Sequence, residues 1–496
     1  MQACGEASTG STESFVDLAS TCIQVRMNRR DALRAIGSVP IALAGSSLLE
    51  TGCGKHKGAA ERSDRALPEH PEQALFPKRP VANQPSNFSP SAVRLLEEVR
   101  ERAAHYFIER SDPGTGLAFD RAPADGASDA EQYSVASIAA TGFGLSALSI
   151  AARNGYVPAA RCEERMMTSL RFLANRAEHE RGFFAHYLDG RSGARKKESE
   201  FSSIDTALLV AGAVHAGESL NSQEGTALVK TIVERIDWPW MLNANAVPSG
   251  KEAMLSMGWL PGSGFLQARW SSYSECMLMY LLAIASPTHP LPAGIWNAIE
   301  RNTYDYGGIR FISSFGALFI HQYPHVWLDL RGLKDAYADY YQNSVAAVRA
   351  HKTYCLMQHG RFQWVDERVW GFSACDTERR EYMAWAAPPI IGEWDGTLSP
   401  HAAGGSLTLL PEECIVALVA MREHHPKSFG RYGFVDAFNP GANDSRGWFD
   451  NDVVGIDLGL TMLMAENQQT GAVYRSVEGH PGLRRAMDAV QLKRYV

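Results

Sequence analysis

Two predicted helices in this chain are apolar on nearly all of their faces. They cover residues 207–214 and 277–285, where Ala, Leu, Val, Met and Ile follow one another almost without interruption. A helix without a polar face has to be covered on every side by other parts of the protein. Since further helical patterns lie on both sides of each segment, the chain is predicted to fold with an inner layer of helices inside an outer one.

Apolar residues at helical spacing recur along most of the chain. Ser89 and Pro90 supply an N-cap and a first-turn proline, and a helix is predicted from there. Further helices are predicted near residues 133–154, 160–176, 203–218, 223–236, 272–286, 335–357, 411–424 and 455–468. Strictly alternating runs are scarce. These patterns predict an all-α protein, and a ring of paired helices would provide the two layers.

The composition is that of a globular protein with a large core. The 496 residues are 45% apolar and 21% charged, and no linker or low-complexity tract divides the chain after residue 90. A single large domain is therefore predicted. The net charge of −7 provides no basic face for phosphate groups, which argues against nucleic-acid binding and favours a neutral substrate.

No pattern in the sequence indicates a metal or an organic cofactor. His321 and His325 stand four residues apart, but Pro324 between them disrupts a shared helical face. A P-loop, a dinucleotide fingerprint, a GxSxG elbow and an HExxH motif are all missing, which removes support for phosphoryl transfer, hydride transfer and the common hydrolases. Five cysteines without CxxC spacing are predicted to be buried free thiols: Cys162, Cys276, Cys355, Cys375 and Cys414.

Residues 1–53 have the outline of an export signal. From Met27 the chain reads MNRRDALRAIGSVPIALAGSSLLETGC, in which Arg29 and Arg30 precede a weakly apolar stretch, as in twin-arginine signals. Met27 is then the predicted native start. The alternative is a cytosolic protein with an amphipathic N-terminal helix.

A proline-rich polar stretch, residues 54–89, follows the export signal and is predicted to be a tether. Cys53 just before it is a candidate lipidation site, although Glu50 stands where lipoprotein signals usually carry an apolar residue. The protein is therefore predicted to be periplasmic or secreted, and a lipid on Cys53 is the one link to a membrane that the sequence offers.

All eleven tryptophans lie between Trp238 and Trp448. Several fall in glycine-rich segments such as 258–259, 370–371 and 394–396, which are predicted to be loops held by the helical scaffold. Indole rings stack on the apolar faces of sugars. The clustering favours a carbohydrate ligand, while packing in the core is the alternative for any single tryptophan.

Two acids stand at the entrance of the apolar helices. Glu275 opens the second of them within the segment 272–291, and Asp205 opens the first. A carboxyl pressed against apolar neighbours has its pKa raised, as a general acid requires. The alternative is that Ser272 with Glu275, and Ser202 with Asp205, are capping boxes. Other acids in unusual surroundings are Asp120, Asp376, Glu393, Asp395, Asp436, Asp457 and Glu466.

Seven blocks of sequence follow one another in the chain: GTGLAFDR (114–121), FSSIDTALL (201–209), YSECMLMYLLAIASPTHPL (273–291), WGFSACD (370–376), DGTLSPHAAGGSLTLLPEECIVAL (395–418), YGFVDAFNP (432–440) and GIDLGLTMLMAENQQTG (455–471). In order and spacing they resemble the glycoamylase-like domain of bacterial β-1,2-glucanases and cyclic β-1,2-glucan synthases. The resemblance covers residues 90–472 and leaves 473–496 as a C-terminal tail. It implies an (α/α)6 toroid, a six-hairpin double barrel of helices with a cleft at one end.

The resemblance also implies an activity and a site. The expected protein is an inverting glycoside hydrolase acting on a β-glucan, expected to be β-1,2-linked, without a metal or organic cofactor. Glu275 is implied as the general acid, with Asp205 and Asp376 as candidates for the base. The residues expected to bind the sugar chain are Asp120, Arg121, Trp259, Trp270, Tyr273, His325, Trp327, Trp370 and Trp394. The alternatives are a transglycosylase on the same fold and a tethered, non-catalytic glycan-binding protein.

Overall fold

The computed structural model describes residues 88–495, except 128–130, 197, 243–252 and 380. The predicted export signal, the candidate lipidation site at Cys53 and nearly all of the predicted tether lie outside the described residues. Among the described helices, none is both long enough and apolar enough to cross a bilayer.

Helices are the main regular structure of the described chain. In order they are α1 (Pro90–Glu109), α2 (Ile138–Asn154), α3 (Ala159–Asn175), α4 (Ser203–Leu220), α5 (Gln223–Glu234), α6 (Trp238–Met241), α7 (Cys276–Ala285), α8 (Phe319–Gln322), α9 (Pro324–Trp327), α10 (Tyr340–Met357), α11 (Pro400–Gly404), α12 (Pro411–His424), α13 (Ala442–Ser445), α14 (Gly455–Gln469), α15 (Ala472–Glu478) and α16 (Pro481–Ala489). Short 3-10 turns cover Glu131–Ser134, Ala293–Ala298 and Pro426–Ser428. All nine predicted helices are present, and α12 has the predicted bounds.

The helices form two layers. Six positions of the inner layer are filled by α2, α4, α7, the short pair α8 and α9, α11 and α14, whose residues are buried on nearly every face. The helices α1, α3, α5, α10 and α12 alternate with them along the chain. All of these except α10 keep exposed faces, and α10 exposes only Arg349 and Met357. The two layers that the apolar segments predicted are therefore present.

The inner helices α2 and α4 are in very close contact because two glycines meet between them. A Cβ atom added to Gly212 would lie 1.9 Å from the carbonyl oxygen of Gly142, and one added to Gly142 would lie 2.4 Å from the carbonyl oxygen of Leu208. Only glycine leaves room for the two backbones at this distance. This contact fixes the spacing of two neighbouring positions of the inner layer.

The strands are short and all pair antiparallel. They are β1 (Arg121–Pro123), β2 (Val135–Ser137), β3 (His179–Glu180), β4 (Phe183–Phe184), β5 (Tyr187–Asp189), β6 (Phe201–Ser202), β7 (Gly258–Leu260), β8 (Gly264–Phe265), β9 (Thr303–Tyr306), β10 (Ile309–Ile312), β11 (Leu333–Lys334), β12 (Ala374–Asp376), β13 (Tyr382–Ala384), β14 (Phe429–Gly430), β15 (Gly433–Phe434), β16 (Phe438–Asn439), β17 (Trp448–Phe449), β18 (Asp452–Val454) and β19 (Lys493–Arg494). Most of them lie in the loops that lead into the inner helices.

These loops form a closed ring, which we call the rim. It consists of the described residues of 110–137, 176–202, 242–275, 286–318, 358–399 and 425–454. Each loop contacts the next one through β2–β5, β6–β7, the Ser272–Glu300 bridge, the hydrogen bond from Ala387 to Gly316, the Leu398–Phe438 bridge and β1–β18. Because every rim loop leads into an inner helix, the rim surrounds the N-terminal end of the inner layer.

A buried ion pair lies near the C-terminal end of α14. Glu466 accepts hydrogen bonds from Arg100 Nη1 at 2.5 Å, Asn154 Nδ2 at 3.1 Å and Thr470 Oγ1 at 2.6 Å. Burial alone would raise the pKa of Glu466, but the Thr470 hydrogen bond and the Arg100 charge outweigh it, so its pKa is lowered. The pair ties α1 and α2 to the end of α14.

The segment predicted as a C-terminal tail is folded against the barrel. Helix α15 packs against α4, α9 and α14, and α16 packs against α7, while β19 pairs with β11. The apolar side chains of Val473, Val477 and Leu483 are buried there. Their burial in the core is the physical reason that this segment is part of the domain rather than a loose tail.

Candidate active site

Glu275 lies on the rim at the first position before α7. Its side chain is only 2% exposed, and it makes no capping hydrogen bond to the helix. Ser272 does not cap α7 either, because its hydroxyl bonds Glu300 Oε2 at 3.1 Å. The capping-box alternative for Ser272 and Glu275 is therefore wrong. The burial of Glu275 needs another explanation than helix capping.

A network of buried polar side chains holds the loop beside Glu275. The hydroxyl of Tyr273 lies 3.3 Å from His321 Nδ1 and 3.2 Å from Ser344 Oγ, and Ser344 is 2.9 Å from His325 Nε2. Burial lowers the pKa of His321 to about 3 and that of His325 to about 4, so both rings are neutral at physiological pH. Tyr273 and His325, both predicted to bind sugar, are engaged in this internal network.

Asp205 lies next to the rim, in the first turn of α4. Ser202 caps this helix by accepting the Asp205 backbone N–H at 3.2 Å, and its hydroxyl also donates to Asp205 Oδ2 at 2.6 Å. The capping role predicted for Ser202 is thus confirmed. The ring of His186 lies between two carboxylates, with Nδ1 3.4 Å from Glu200 Oε1 and Nε2 3.7 Å from Asp205 Oδ1. Asp205 is therefore a buried carboxylate with polar neighbours on both oxygens.

Asp376, the other candidate base, lies on β12 in a group of acids around Arg121. The guanidinium of Arg121 pairs with Asp376 at 2.5 Å and lies 3.5 Å from Asp120 and 3.7 Å from Asp452. The structure thus brings together Asp120, Arg121 and Asp376, three of the predicted site residues. They come from rim loops 110–137 and 358–399.

Asp436 connects this group to the start of two inner helices. Its Oδ2 accepts the backbone N–H of Asp376 at 2.7 Å, and burial together with the charges of Asp457, Asp376 and Asp450 raises its pKa well above the usual range. Burial and the charge of Asp376 raise the pKa of Asp450 to about 7. The ring of His401, in the first turn of α11, lies 3.8 Å from both Asp436 and Asp457. His401, Asp436 and Asp457 line a cavity beside α14.

Four of the predicted sugar-binding tryptophans lie in the core. Trp270 donates to Ser203 Oγ at 2.9 Å, Trp327 to Ser146 Oγ at 3.0 Å and Trp394 to the carbonyl oxygen of Thr397 at 2.7 Å. These three rings, together with that of Trp370, are at most 1% exposed. A buried ring offers no face to a sugar, so this placement favours a packing role for all four.

Trp259 differs from those four because part of its ring is exposed on the rim. It stands on β7, 5.6 Å from the ring of Trp240, and Trp240 lies 4.9 Å from the ring of Phe265. All three are partly buried at the edge of the core. They form an aromatic surface next to the strand that joins the loop of Asp205 to the loop of Glu275.

The site residues predicted from the sequence do not include His186, Glu200, His401, Asp450 or Asp452. His401 lies within the block 395–418 and Asp436 within 432–440, so their positions in recognisable blocks were the available signal. Nothing in the local sequence links His186 with Asp205, since the two residues are nineteen positions apart in the chain. Their proximity arises only when β2, β5 and β6 come together.

The inner and outer layers of helices define an (α/α)6 toroid. Acidic residues gather at one of its ends, as in carbohydrate-active enzymes of this fold. Residues 267–481 match the Glycoamylase family model, described as "Putative glucoamylase". The (α/α)6 fold and the glycoamylase-like resemblance that the sequence blocks predicted are thereby confirmed.

Similar proteins of known structure and activity cover most of the chain. The endo-β-1,2-glucanase of Chitinophaga pinensis, solved with sophorotriose and glucose, is 25% identical, with a TM-score of 0.72 over 82% of this chain and 99% of that one. The exo-β-1,2-glucooligosaccharide sophorohydrolase of Parabacteroides distasonis is 24% identical over 80% of this chain, which spans 58% of that relative's length. The endo-β-1,2-glucanase of Talaromyces funiculosus with sophorose, 14% identical, shares the fold with a TM-score of 0.58 over 83% of this chain and 91% of that one.

Proposed function

We propose that this protein is a glycoside hydrolase that cleaves β-1,2-linked glucan by an inverting mechanism. The observation that carries the proposal is the position of Glu275 and Asp205 at the start of α7 and α4, whose rim loops are joined by β6 and β7. Glycoside hydrolysis requires two carboxyl groups on opposite sides of the scissile bond. The similarity to β-1,2-glucan-active enzymes supports the choice of substrate.

In this mechanism Glu275 donates its proton to the glycosidic oxygen, and a carboxylate activates the attacking water. Asp205 is our first choice for the base, because Ser202 donates a hydrogen bond to one of its oxygens and His186 Nε2 lies 3.7 Å from the other. Asp376 is the second, and its pairing with Arg121 also suits it to hold a sugar hydroxyl. The partly exposed rings of Trp259 and Trp240 would stack against the glucan beside these acids.

The test compares the wild-type protein with Glu275→Gln on linear β-1,2-, β-1,3- and β-1,4-glucans and on α-glucans. We expect cleavage of β-1,2-glucan and a loss of about 10²–10⁴-fold in kcat in the variant, the usual contribution of a general acid. The matched control is Glu412→Gln, which removes an exposed acid from the first turn of the outer helix α12. Absence of cleavage of every glucan, or equal rates for Glu275→Gln and the wild type, would refute the proposal.

The configuration of the product tests the mechanism separately. Proton NMR during the first turnovers should show an α-anomer at the new reducing end if the β-linkage is inverted. A β-anomer together with transfer products would identify a transglycosylase instead. The base is identified by measuring kcat of Asp205→Asn. If Asp205 activates the water, kcat should fall by a factor similar to that for Glu275→Gln.

We also propose that the protein is exported through a twin-arginine signal that includes Arg29 and Arg30. Replacing both arginines by lysine should leave the protein in the cytoplasmic fraction of the producing cells. The unchanged signal should deliver it to the periplasm or medium. Equal distribution of the two forms would contradict this route.

A further inference from the structure

We propose that His401, Asp436 and Asp457 form a binding site for a divalent transition-metal cation such as Mn²⁺ or Zn²⁺. His401 lies in the first turn of α11, Asp457 in the first turn of α14, and Asp436 in the rim loop between β15 and β16. One ligand atom from each of the three residues lies within 4.8 Å of the other two. All three groups line the same cavity.

The distances between these atoms suit a shared cation. His401 Nδ1 is 3.8 Å from Asp436 Oδ1, and His401 Nε2 is 3.8 Å from Asp457 Oδ1. Ligands bound to one ion at about 2.0–2.2 Å lie roughly 3–4 Å apart. The two carboxylates face opposite nitrogens of the ring at a spacing too long for hydrogen bonds, so one ion would bind a single ring nitrogen. The three ligand atoms that could share this ion lie within 4.8 Å of one another.

A second observation points to a ligand at this place. His401 is 5% exposed and Asp436 is 2% exposed, yet among the described residues neither His401 Nδ1 nor Asp436 Oδ1 has a hydrogen-bond partner. Buried polar atoms are almost always satisfied. Here two such atoms face each other across 3.8 Å, and a cation between them would satisfy both.

The groups around Asp436 hold its carboxylate in place for binding a metal. The other oxygen of Asp436 accepts the backbone N–H of Asp376 at 2.7 Å, which fixes the orientation of the carboxylate as outer contacts of metal ligands do. Asp376 and Asp450 also approach Asp436, so further carboxyl groups lie beyond the three ligands. The guanidinium of Arg121 is directed to Asp376, Asp120 and Asp452.

The set of donor atoms indicates which class of cation would bind. One imidazole nitrogen with carboxylate oxygens suits Mn²⁺ and Zn²⁺, whereas sites made only of oxygen suit Mg²⁺ and Ca²⁺. A bound ion would join the starts of α11 and α14 to the rim loop 425–454. The metal site uses neither Glu275 nor Asp205, to which proton transfer is assigned. It therefore goes beyond the proposed hydrolase activity.

The experiment uses the full protein after treatment with a chelator and removal of that chelator. Mn²⁺ and Zn²⁺ are titrated by calorimetry in the absence of glucan, and Mn²⁺ is followed by pulsed EPR. We expect one ion per chain, a rise in Tm with metal and a ¹⁴N modulation from a coordinated imidazole. Binding should weaken at least about tenfold in Asp436→Asn and lose the ¹⁴N modulation in His401→Gln.

The control is Asp305→Asn, which removes a carboxylate from the β9–β10 turn, and it should bind like the wild type. If the wild type binds neither ion with one-to-one stoichiometry, or if Mn²⁺ bound to it shows no ¹⁴N modulation, the site is refuted, and this outcome does not depend on any variant. Glu275→Gln should bind the metal normally, so failure of the hydrolase proposal and failure of the metal site give different results.

Discussion

The hydroxyl of Ser202 and the carboxylate of Asp205 are joined by a hydrogen bond of 2.6 Å across the first turn of α4. The same hydroxyl accepts the backbone N–H of Asp205 at 3.2 Å. One serine therefore caps the helix and orients the candidate base. Its two roles can be separated experimentally.

Ser202→Ala should reduce both stability and activity. Loss of an N-cap costs about 1 kcal/mol of the free energy of unfolding, and Asp205 also loses a hydrogen-bond donor. Ser222→Ala is the matched control, because Ser222 caps the outer helix α5 by accepting the Gly225 N–H at 3.0 Å and lies far from the rim in the chain. Denaturant unfolding should show similar losses for both variants, while kcat on β-1,2-glucan should fall only in Ser202→Ala. An equal kcat in the two variants would remove Ser202 from the site.

Gly212→Ala should destabilise the protein by about 3 kcal/mol, at the upper end of the usual cost of overpacking. The added methyl group would meet the backbone carbonyl of Gly142, which has no room to move within a helix. Gly294→Ala provides the comparison, because a Cβ there has no neighbour within 4 Å. Urea unfolding at one temperature measures the free energy of unfolding of both variants. A cost below that of Gly294→Ala would contradict the tight helix contact.

Buried histidines should make the fold sensitive to acid. The pKa of His351 is lowered to about 3 by burial, against about 6.5 in the unfolded chain. Below pH 6.5 the unfolded chain therefore binds a proton that the folded chain does not, and stability falls as the pH is lowered. His351→Gln keeps an acceptor for the Phe372 N–H and removes the titrating group. Its Tm should fall less between pH 7 and pH 5 than that of the wild type, and parallel curves would speak against this origin.

Breaking the ion pair between Glu466 and Arg100 should cost about 3–5 kcal/mol, since Glu466→Gln removes the buried counter-charge of a buried guanidinium and leaves only the half-exposed Glu97. The lowered pKa of Glu466 means that its contribution is complete above its ordinary value of 4.5 and is lost as the pH falls below that value. Glu97→Gln removes the half-exposed partner of the same arginine and should cost less than about 1 kcal/mol. Thermal unfolding at pH 7 compares the two.

The sequence predicted the helices well because helix formation depends on local spacing. Pro411–His424 has the predicted bounds, and α4 follows the apolar run that indicated it. The exposure of aromatic rings depends on distant contacts instead. Trp327 and Trp370 could not be distinguished from surface residues by their own neighbours in the chain, and both are fully buried.

The groups around the candidate site were predictable only in part for the same reason. Glu275 and Asp205 were visible because each interrupts the start of an apolar helix. His186 reaches Asp205, and His401 reaches Asp436, only after separate loops have met. The spacing of these residues along the chain therefore did not indicate that a histidine and a carboxylate meet at either place.

The rim gives each of its six loops only two neighbours, one on either side. A change in the length of a single loop would therefore disturb two joints and leave the other four, and the helices beneath, as they are. The opening of the barrel is thus divided into sectors that evolution or design can alter one at a time. Preference for longer or shorter glucans can change by this route without any new solution to the packing of the core.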